Sequence, residues 1–254
     1  MVAKISVAII TKNEEKNISF ALRSCNKLDE IIVLDGNSTD KTSMIASAYG
    51  ARVATQSWLG FGRQKNKAVS LTTNEWVFSL DSDESMSEEL LQSILTASLT
   101  DKTIAFAIKR QSYFLGKKIR FSGWQNDWVL RLFNKRSCQF EETEVHEKIV
   151  GFSRVKKLKG VLYHHPYKTK DQVESKIINY SLLGAIRRIK EKKPRKIPVF
   201  PAVWAFIKTF VIQLGFCDGI AGWQLASMNF RYTFRKYKIQ QELQRSNSKK
   251  LSHK

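Results

Sequence analysis

The sequence has few cysteines, prolines and glycines, and each shortage excludes a class of protein. Its 254 residues include 3 Cys, 4 Pro and 12 Gly. Cys25, Cys138 and Cys217 are far apart and form no CxxC pair, which argues against a zinc site and against a disulfide framework. We expect three buried or partly buried thiols in a reducing compartment. The low Pro and Gly contents exclude collagen-like and low-complexity chains.

The sequence also lacks a recognisable signal peptide and a long hydrophobic run. The apolar run at residues 5–10 follows Met1 almost directly, without a basic start or a small-residue cleavage site. The apolar stretch at residues 202–214 is interrupted by Lys208 and Gln213, and it is shorter than the about 20 residues that a membrane span needs. We therefore expect a cytoplasmic protein.

Acidic residues are scarce, with 23 Asp+Glu against 43 Lys+Arg and a net charge of +20. Most of the excess lies after residue 184, where 16 basic residues accompany three acidic ones. Such a basic end indicates a polyanionic partner, either nucleic acid or an anionic membrane surface. No nucleic-acid-binding motif is visible, and the basic residues flank an apolar, aromatic-rich segment. The sequence therefore predicts an anionic membrane surface as partner of the C-terminal helices and no nucleic acid; the alternative is a helical appendage with a solvated basic face.

The first hundred residues alternate between strand and helix patterns. Short apolar runs at residues 5–10, 31–34 and 76–80 are typical of buried parallel strands, and helical patterns separate them. This order predicts an α/β fold with a mostly parallel, Rossmann-like sheet. We predict one such domain over residues 1–168, with shorter strands at residues 104–108, 130–133 and 161–163. A helical region over residues 169–240 and a disordered basic tail over residues 241–254 follow.

Polar residues follow the predicted strands directly, where ligands bind in such sheets. The strongest signal is Asp81-Ser-Asp83-Glu84, because residues i and i+2 of an extended chain point to the same side. Two carboxylates placed in this way suit Mg²⁺ or Mn²⁺ carrying a diphosphate. The alternative is a solvated turn before the next helix, with Ser85 and Glu88 as a capping box.

Three further segments have the same strand-end position or a related composition. Asp35 ends the second strand and could accept hydrogen bonds from a base or ribose, while Ser38 or Asp40 could instead cap the next helix. Residues 11–14 follow the first strand. Residues 60–67 place glycines, basic groups and amides at a helix start, which suits phosphate oxygens but also an ordinary solvated helix face.

Taken together, the four motifs resemble those of the GT-A glycosyltransferases of family 2. They occur in the order T-x-N-E, D-G-x-S-T-D, Q-K-N-x-A and D-x-D-E. Later motifs, among them Val145-His-Glu147, His164-His-Pro-Tyr167 and residues 215–222, look like those of the WaaE/KdtX/LgtF-type lipopolysaccharide core glucosyltransferases. The resemblance covers roughly residues 4–240.

The resemblance implies a GT-A fold and an inverting, metal-dependent transferase. The expected reaction moves a hexose, with UDP-glucose as the expected donor, to the inner core of lipopolysaccharide or lipooligosaccharide. A capsule or undecaprenyl-linked acceptor is the alternative, and a basic nucleic-acid-binding protein is a distant one. The expected location is peripheral, at the cytoplasmic face of the inner membrane.

The resemblance also implies roles for particular residues. The nucleotide-sugar residues would be Thr11, Asn13, Glu14, Asp35, Lys65, Asn66 and Asp81, with Asp35 at the uracil and Lys65 and Asn66 near the diphosphate. The metal, Mg²⁺ or Mn²⁺, would be held by Asp83 and Asp81, with His164 either a third ligand or a structural histidine. An inverting transfer needs one general base. This sequence lacks the Glu-Asp pair of many family members, so we favour Glu147, then Glu144, with His146 as a base or a positioning group.

Overall fold

The computed structural model describes residues 3–142 and 147–251, with side chains described as far as residue 245. The chain forms two compact units. The first contains the chain up to Gln111 together with Asn126–His164, and the second contains Ser112–Gln125 together with the chain from His165 onward.

The described residues form strands and helices in an order that begins with regular alternation. The strands are β1 (Ile5–Thr11), β2 (Glu30–Asp35), β3 (Arg52–Thr55), β4 (Trp76–Asp81), β5 (Glu84–Met86), β6 (Ile104–Phe114), β7 (Lys117–Lys118), β8 (Trp128–Asn134), β9 (Gln139–Phe140), β10 (Ile149–Val150) and β11 (Arg154–Tyr167). The helices are α1 (Ile18–Ser24), α2 (Thr42–Ala48), α3 (Phe61–Ser70), α4 (Glu88–Leu95), α5 (Lys170–Lys190), α6 (Val199–Ile207) and α7 (Gly219–Leu251).

The main sheet has a parallel half and a mixed half, which confirms the predicted α/β class. Its order is β3-β2-β1-β4-β8-β6-β11-β5, with β7 paired to β6 and β9 and β10 forming a separate ribbon. Strands β3, β2, β1 and β4 run parallel, and β8 is antiparallel to β4. Every residue of β1 is buried, as expected for a strand covered on both faces.

Two hydrophobic clusters lie on opposite faces of this sheet. Val7 and Ile9 of β1 belong to one cluster, which includes Ile18 and Leu22 of α1. The alternate residues Ala8 and Ile10 belong to the other, which includes Ala68 of α3. The alternation follows from the two-residue period of a strand, and it fixes which side chains the helices cover.

The second unit has a core of its own, and its limits differ from the prediction. Phe114 and Ile119 pack with Val173, Ile177 and Leu225, so residues 112–125 belong with the helices although they precede them by some 50 residues of chain. This division differs from the predicted single boundary at residues 168–169: the units divide at His164, and the second unit also includes Ser112–Gln125. Composition along the chain does not reveal such a long-range association.

The last helix also extends further than predicted. Helix α7 runs to Leu251, so the predicted disordered tail is helical from residue 241 through residue 251. Its sequence after Gly222 contains no Gly or Pro, and Gln, Glu, Leu, Lys and Arg favour a helix. Cys25 and Cys138 are buried as expected, whereas Cys217 is exposed.

The connection between α6 and α7 is irregular. A π-helical turn at Lys208–Ile212 and a 3-10 turn at Gly215–Asp218 separate the two helices. Among the described residues no single helix has the length and apolarity of a membrane span, although the bent pair Val199–Ile212 and Gly215–Arg245 has both jointly, with a 70° bend.

Candidate active site

The carboxyl ends of three neighbouring strands present the predicted polar residues together. Thr11 pairs with Asp35 in the β1–β2 register, and Ile10 pairs with Asp81 in the β1–β4 register. These strands end at the same edge because they are parallel and in register. The first unit therefore brings Thr11, Asp35 and Asp81 to one edge of the sheet.

The loops that follow β1 and β2 are joined by hydrogen bonds. The backbone N–H of Asn13 donates to Ser38 Oγ at 2.8 Å, and Asn13 Oδ1 accepts from the N–H of Thr39 at 2.8 Å. The N–H of Glu14 donates to Thr42 Oγ1, also at 2.8 Å. Asn13 has a positive φ of 56°, a conformation that Asn tolerates better than most residues. The predicted residues Asn13 and Glu14 therefore shape this loop pair.

Asp35 is buried and orients the start of the second loop. Its two carboxylate oxygens accept from the N–H of Ser38 at 2.9 Å and from Ser38 Oγ at 2.5 Å. Gly36 follows Asp35 and lies directly under Trp58, because a Cβ added to Gly36 would be 2.9 Å from the indole ring. Thr11 Oγ1 is buried nearby along the register, and it has no hydrogen-bond partner among the described residues. A buried hydroxyl of this kind is suited to a ligand that supplies a partner.

The Asp81–Glu84 segment forms a network of charges rather than a solvated turn. Asp81 Oδ1 lies 2.8 Å from Lys65 Nζ, and Asp81 Oδ2 lies 2.6 Å from a terminal nitrogen of Arg131. The same nitrogen of Arg131 lies 2.7 Å from Glu84, whose side chain is fully buried. Glu84 therefore points inward and positions Arg131, while Asp81 remains 27% exposed.

The network controls the ionisation of Asp81. Burial alone would raise the pKa of this carboxyl, but the positive charges of Arg131 and Lys65 outweigh burial and hold the pKa well below its usual range. Burial likewise disfavours the charged form of Arg131, and Asp81 and Glu84 outweigh it and raise the pKa of the guanidinium. Asp81 is therefore a carboxylate at every physiological pH.

Asp83 faces His164, the histidine that the resemblance assigned either to the metal or to a structural role. Asp83 Oδ2 lies 3.6 Å from His164 Nε2, and both side chains are mostly buried. His164 lies on β11, opposite Glu84 of β5 in the antiparallel register. The structure thus brings the predicted metal residues Asp83 and His164 together, with Asp81 on the same segment as Asp83.

Lys65 connects Asp81 to the favoured base. Its ammonium lies 2.8 Å from Asp81 and also 2.8 Å from Glu147 Oε1, and its side chain is only 4% exposed. Helix α3 places Lys65 here because its Gly62, Ala68 and Val69 pack inward on the same side. The other predicted candidates for the base, Glu144 and His146, lie outside the described residues.

Asn66 does not join this cluster. Its Nδ2 donates to the carbonyl of Phe140 at 2.9 Å, and its Oδ1 accepts from the N–H of Phe140 at 2.8 Å. The amide therefore fastens β9 to α3, and we expect this structural task to be its main one; the role near the diphosphate stays a prediction.

The residues that the sequence analysis missed are those that organise the carboxylates. Arg131 and Glu84 meet across 47 residues of chain, and Arg110 bridges Glu84 at 3.3 Å and Asp127 at 2.7 Å. One signal was available: Arg131 is a lone charge between the apolar residues of β8, which indicates a buried partner.

The side chains of this site provide some, but not all, of the ligands that a divalent cation needs. Among the described residues, no group of three or more His, Cys, Asp or Glu side chains is placed to hold a metal ion. Both oxygens of Asp81 already meet cations, while Asp83 and His164 form a close pair of oxygen and nitrogen donors. A carboxylate and an imidazole are ordinary ligands of Mn²⁺, and ligands on the cation could come from a bound diphosphate as well.

A carboxylate cluster at the carboxyl ends of parallel strands lies where ligands bind in α/β sheets. The family model for glycosyl transferase family 2 matches residues 6–159. The chain belongs to this family, and its fold is α/β of the GT-A type with a C-terminal helical region. It is therefore a glycosyltransferase.

Curated relatives extend the match over most of the chain. An uncharacterized glycosyltransferase of Rickettsia prowazekii is 35% identical over 237 residues, which cover 86% of this chain and 80% of the relative. The lipopolysaccharide core biosynthesis glycosyltransferase LpsC of Rhizobium meliloti is 28% identical over 243 residues, covering 91% and 89%. The resemblance stated from the motifs is thus confirmed.

Solved structures are similar at a lower level. The glucosyl-3-phosphoglycerate synthase of Mycobacterium tuberculosis, in complex with Mn²⁺, UDP and glucosyl-3-phosphoglycerate, is 28% identical with a TM-score of 0.36. That match covers 44% of each chain, so this chain spans less than half of the synthase. S. aureus TarS 1-349 is 15% identical with a TM-score of 0.46, over 96% of this chain and 92% of TarS.

Proposed function

We propose that the protein is an inverting, metal-dependent glycosyltransferase that moves a hexose from a UDP-sugar to a saccharide acceptor. UDP-glucose is the first donor to test. The observation that carries the proposal is the cluster of Asp81, Lys65 and Glu147, with Asp83 and His164 beside it, at the carboxyl edge of the parallel strands. In this cluster Lys65 suits a diphosphate, Asp83 and His164 suit a metal ion, and Glu147 suits the role of a base.

The nucleotide would lie at the ends of β1 and β2. Asp35 would recognise the base, and Thr11 Oγ1 offers a buried hydroxyl that has no partner among the described residues. The loops that contain Asn13 and Glu14 are joined by hydrogen bonds and would form a fixed side of this nucleotide site. Preorganised polar groups of this kind lose little conformational freedom when a ligand binds.

Asp83 and His164, with Asp81, would hold Mg²⁺ or Mn²⁺. Such a cation, when bound, offsets the negative charge that builds on a leaving diphosphate. Lys65 supplies a second positive charge at the same place, and Arg131 keeps Asp81 oriented and ionised. The protein's own contribution is therefore a set of charges that need no rearrangement before the reaction.

Glu147 is the proposed base. Inversion at the anomeric carbon proceeds by one displacement, so one group must accept the proton of the acceptor hydroxyl. Glu147 is partly exposed at 13%, lies 2.8 Å from Lys65 and therefore faces the same cluster as Asp81. Glu144 and His146 stay predictions.

A core saccharide of lipopolysaccharide or lipooligosaccharide is the proposed acceptor. The support is LpsC, whose name assigns it to lipopolysaccharide core biosynthesis and which aligns with 91% of this chain. A capsule or undecaprenyl-linked acceptor is the alternative for the same fold. The cytoplasmic face of the inner membrane stays the predicted location.

The test is calorimetric titration of UDP-glucose, UDP-galactose and UDP-N-acetylglucosamine into the protein with Mn²⁺. We expect one UDP-sugar to bind, and we expect both EDTA and Asp83→Ala to abolish binding. Asp171→Ala, an exposed carboxylate at the start of α5, is the matched control and should bind as the wild type does. Failure of every UDP-sugar to bind, or equal loss in both variants, would contradict the proposal.

A further inference from the structure

The second unit exposes an unusual concentration of large apolar side chains. Half of the large hydrophobic residues that are exposed in the described part of the chain lie between residues 197 and 223. We call this segment the apolar corner. Its exposed residues include Phe200, Trp204, Ile212, Phe216, Ile220 and Trp223, each more than half exposed. Monomeric soluble proteins rarely expose contiguous apolar surface of this kind without a partner.

The apolar corner is hydrophobic on its inner side as well. Ala202 of α6 and Ala221 and Leu225 of α7 are buried. Phe206 and Phe210 pack against Trp223 with ring centroids 5.0 and 5.4 Å apart. The inner contacts show that the exposed residues are not left over from loose packing. A helix that is apolar all round is typical of a buried position or a lipid environment.

Charges are nearly absent from the apolar corner. Residues 197–230 contain only Lys208 and Asp218 as charged residues. The carboxylate of Asp218 is hydrogen-bonded within the second unit. It accepts from the N–H groups of Arg120 and Phe121 at 2.9 and 3.0 Å and from Ser122 Oγ at 2.7 Å. The hydrogen-bonding capacity of the single acid in the segment is thereby taken up within the unit.

Basic residues flank the apolar corner on both sides in the sequence, and the fold brings the two groups together, since Arg188 lies over the ring of Tyr237 and donates to Gln240. Residues 187–196 contain seven basic residues and one acidic residue, and Arg231, Arg235, Lys236 and Lys238 follow on α7. This border favours an anionic surface over a second copy of the chain, since two copies would bring like charges together.

The lengths favour insertion into the interface over a full span. Residues 199–212 make a helical arm of about 21 Å, and residues 219–230 make one of about 18 Å, at about 1.5 Å per residue. Both are shorter than the bilayer core of about 30 Å. The 70° bend between the two helical segments therefore suits a shallow wedge.

We propose that the apolar corner inserts into the headgroup region of an anionic lipid bilayer, with the basic borders on lipid phosphates. Trp204 and Trp223 would then lie at the level where Trp side chains are favoured in membranes. The inference does not depend on the donor or the acceptor of the transferase.

The test is flotation of the full chain with vesicles of phosphatidylcholine alone or with phosphatidylglycerol, in the absence of any substrate. We expect binding to the anionic vesicles, a blue shift of tryptophan emission on binding, and weaker binding at high salt because the basic borders are screened. Absence of binding to anionic vesicles would overturn the proposal.

Two matched double variants show whether vesicle binding depends on the apolar corner or on exposed apolar residues in general. Phe200→Glu with Trp204→Glu should weaken binding at least about tenfold, because two apolar side chains no longer leave water. Phe20→Glu with Met44→Glu changes two equally exposed apolar residues of the first unit and should bind as the wild type does. Equal loss in both double variants would overturn the proposal.

The oligomeric state tests the other possible occupant of the apolar corner, which is a second copy of the chain. Light scattering should show the same mass for the wild type and for Phe200→Glu with Trp204→Glu. A wild-type dimer that the variant converts to a monomer, together with no vesicle binding, would assign the surface to a second copy and overturn the proposal. UDP-sugar titration of the same variant should be unchanged, which keeps this test independent of the donor site.

Discussion

Replacement of Arg131 by Met tests whether the buried charge network holds the first unit together. The change keeps much of the apolar stem but removes the ion pairs to Asp81 at 2.6 Å and to Glu84 at 2.7 Å. Glu84, which is 1% exposed, would retain only Arg110 at 3.3 Å as a cationic partner among the described residues. Asp81 would retain Lys65.

The expected cost follows from the burial of the pair. Removal of one partner of a buried ion pair costs about 3–5 kcal/mol, because the other charge stays buried without compensation. Because Arg110 and Lys65 keep their contacts, we expect Arg131→Met to cost about 3 kcal/mol, at the lower end of this range. For a chain of this size, such a loss corresponds to a Tm about 6–12 °C lower.

The effect should depend on pH in one direction. Arg131 contributes to holding the pKa of Asp81 below its ordinary value of 3.8. The ionised carboxylate therefore contributes stability above its unfolded-state pKa, and this contribution is lost as pH falls toward the folded-state pKa. The gap between wild type and variant should be widest at neutral pH and should narrow below about pH 4.

Urea unfolding followed by circular dichroism at pH 7 and pH 3 measures the gap. Arg136→Met is the matched control, because Arg136 pairs with Glu75 on the surface and its loss should cost less than about 1 kcal/mol. Arg131→Met combined with Glu84→Gln should recover most of the stability, since no uncompensated carboxylate remains. A single variant as stable as the wild type, or a double variant no better than the single one, would refute the reasoning.

Three further predictions concern single residues. Glu147→Gln should lower kcat by about 10²–10⁴-fold with little change in donor KM, because the base is lost, whereas exposed Glu142→Gln should leave steady-state kinetics unchanged. Asn66→Ala should lower the free energy of unfolding in urea by about 1–3 kcal/mol, because two bonds to β9 are lost, and should leave calorimetric UDP affinity unchanged. A thiol reagent at pH 8 should label exposed Cys217 rapidly but Cys25 only after unfolding, as mass spectrometry of the native protein will report, because burial raises the pKa of Cys25 to about 12. Unchanged kcat, unchanged stability and rapid labelling of Cys25 would contradict the three in turn.

The parallel half of the sheet could be predicted because its signal is local. The apolar runs at residues 5–10, 31–34 and 76–80 correspond to β1, β2 and β4 within one or two residues. A strand buried on both faces must be apolar throughout, so its end is visible where polar residues begin. Thr11, Asp35 and Asp81 were therefore placed correctly at one edge from sequence alone.

The mixed half was predicted less well because its strands depend on distant partners. Strands β6 and β11 extend over Ile104–Phe114 and Arg154–Tyr167, well beyond the apolar segments expected at residues 104–108 and 161–163. Their polar halves pair with other strands and carry no apolar run of their own. The sequence also placed the cap of α4 at Ser85, whereas Ser87 caps it, since Glu84–Met86 pairs with β11.

The hydrogen bonds between the loops after β1 and β2 have a consequence for how this edge of the sheet opens. Glu15 and Asp40 extend the connection, because the N–H of Glu15 donates to Asp40 and the N–H of Lys41 donates to Glu15, both at 3.2 Å. Neither loop can separate from the sheet without breaking the bonds of the other. Their amides should therefore exchange hydrogen with solvent as one cooperative unit, and a nucleotide that contacts either loop should slow exchange in both.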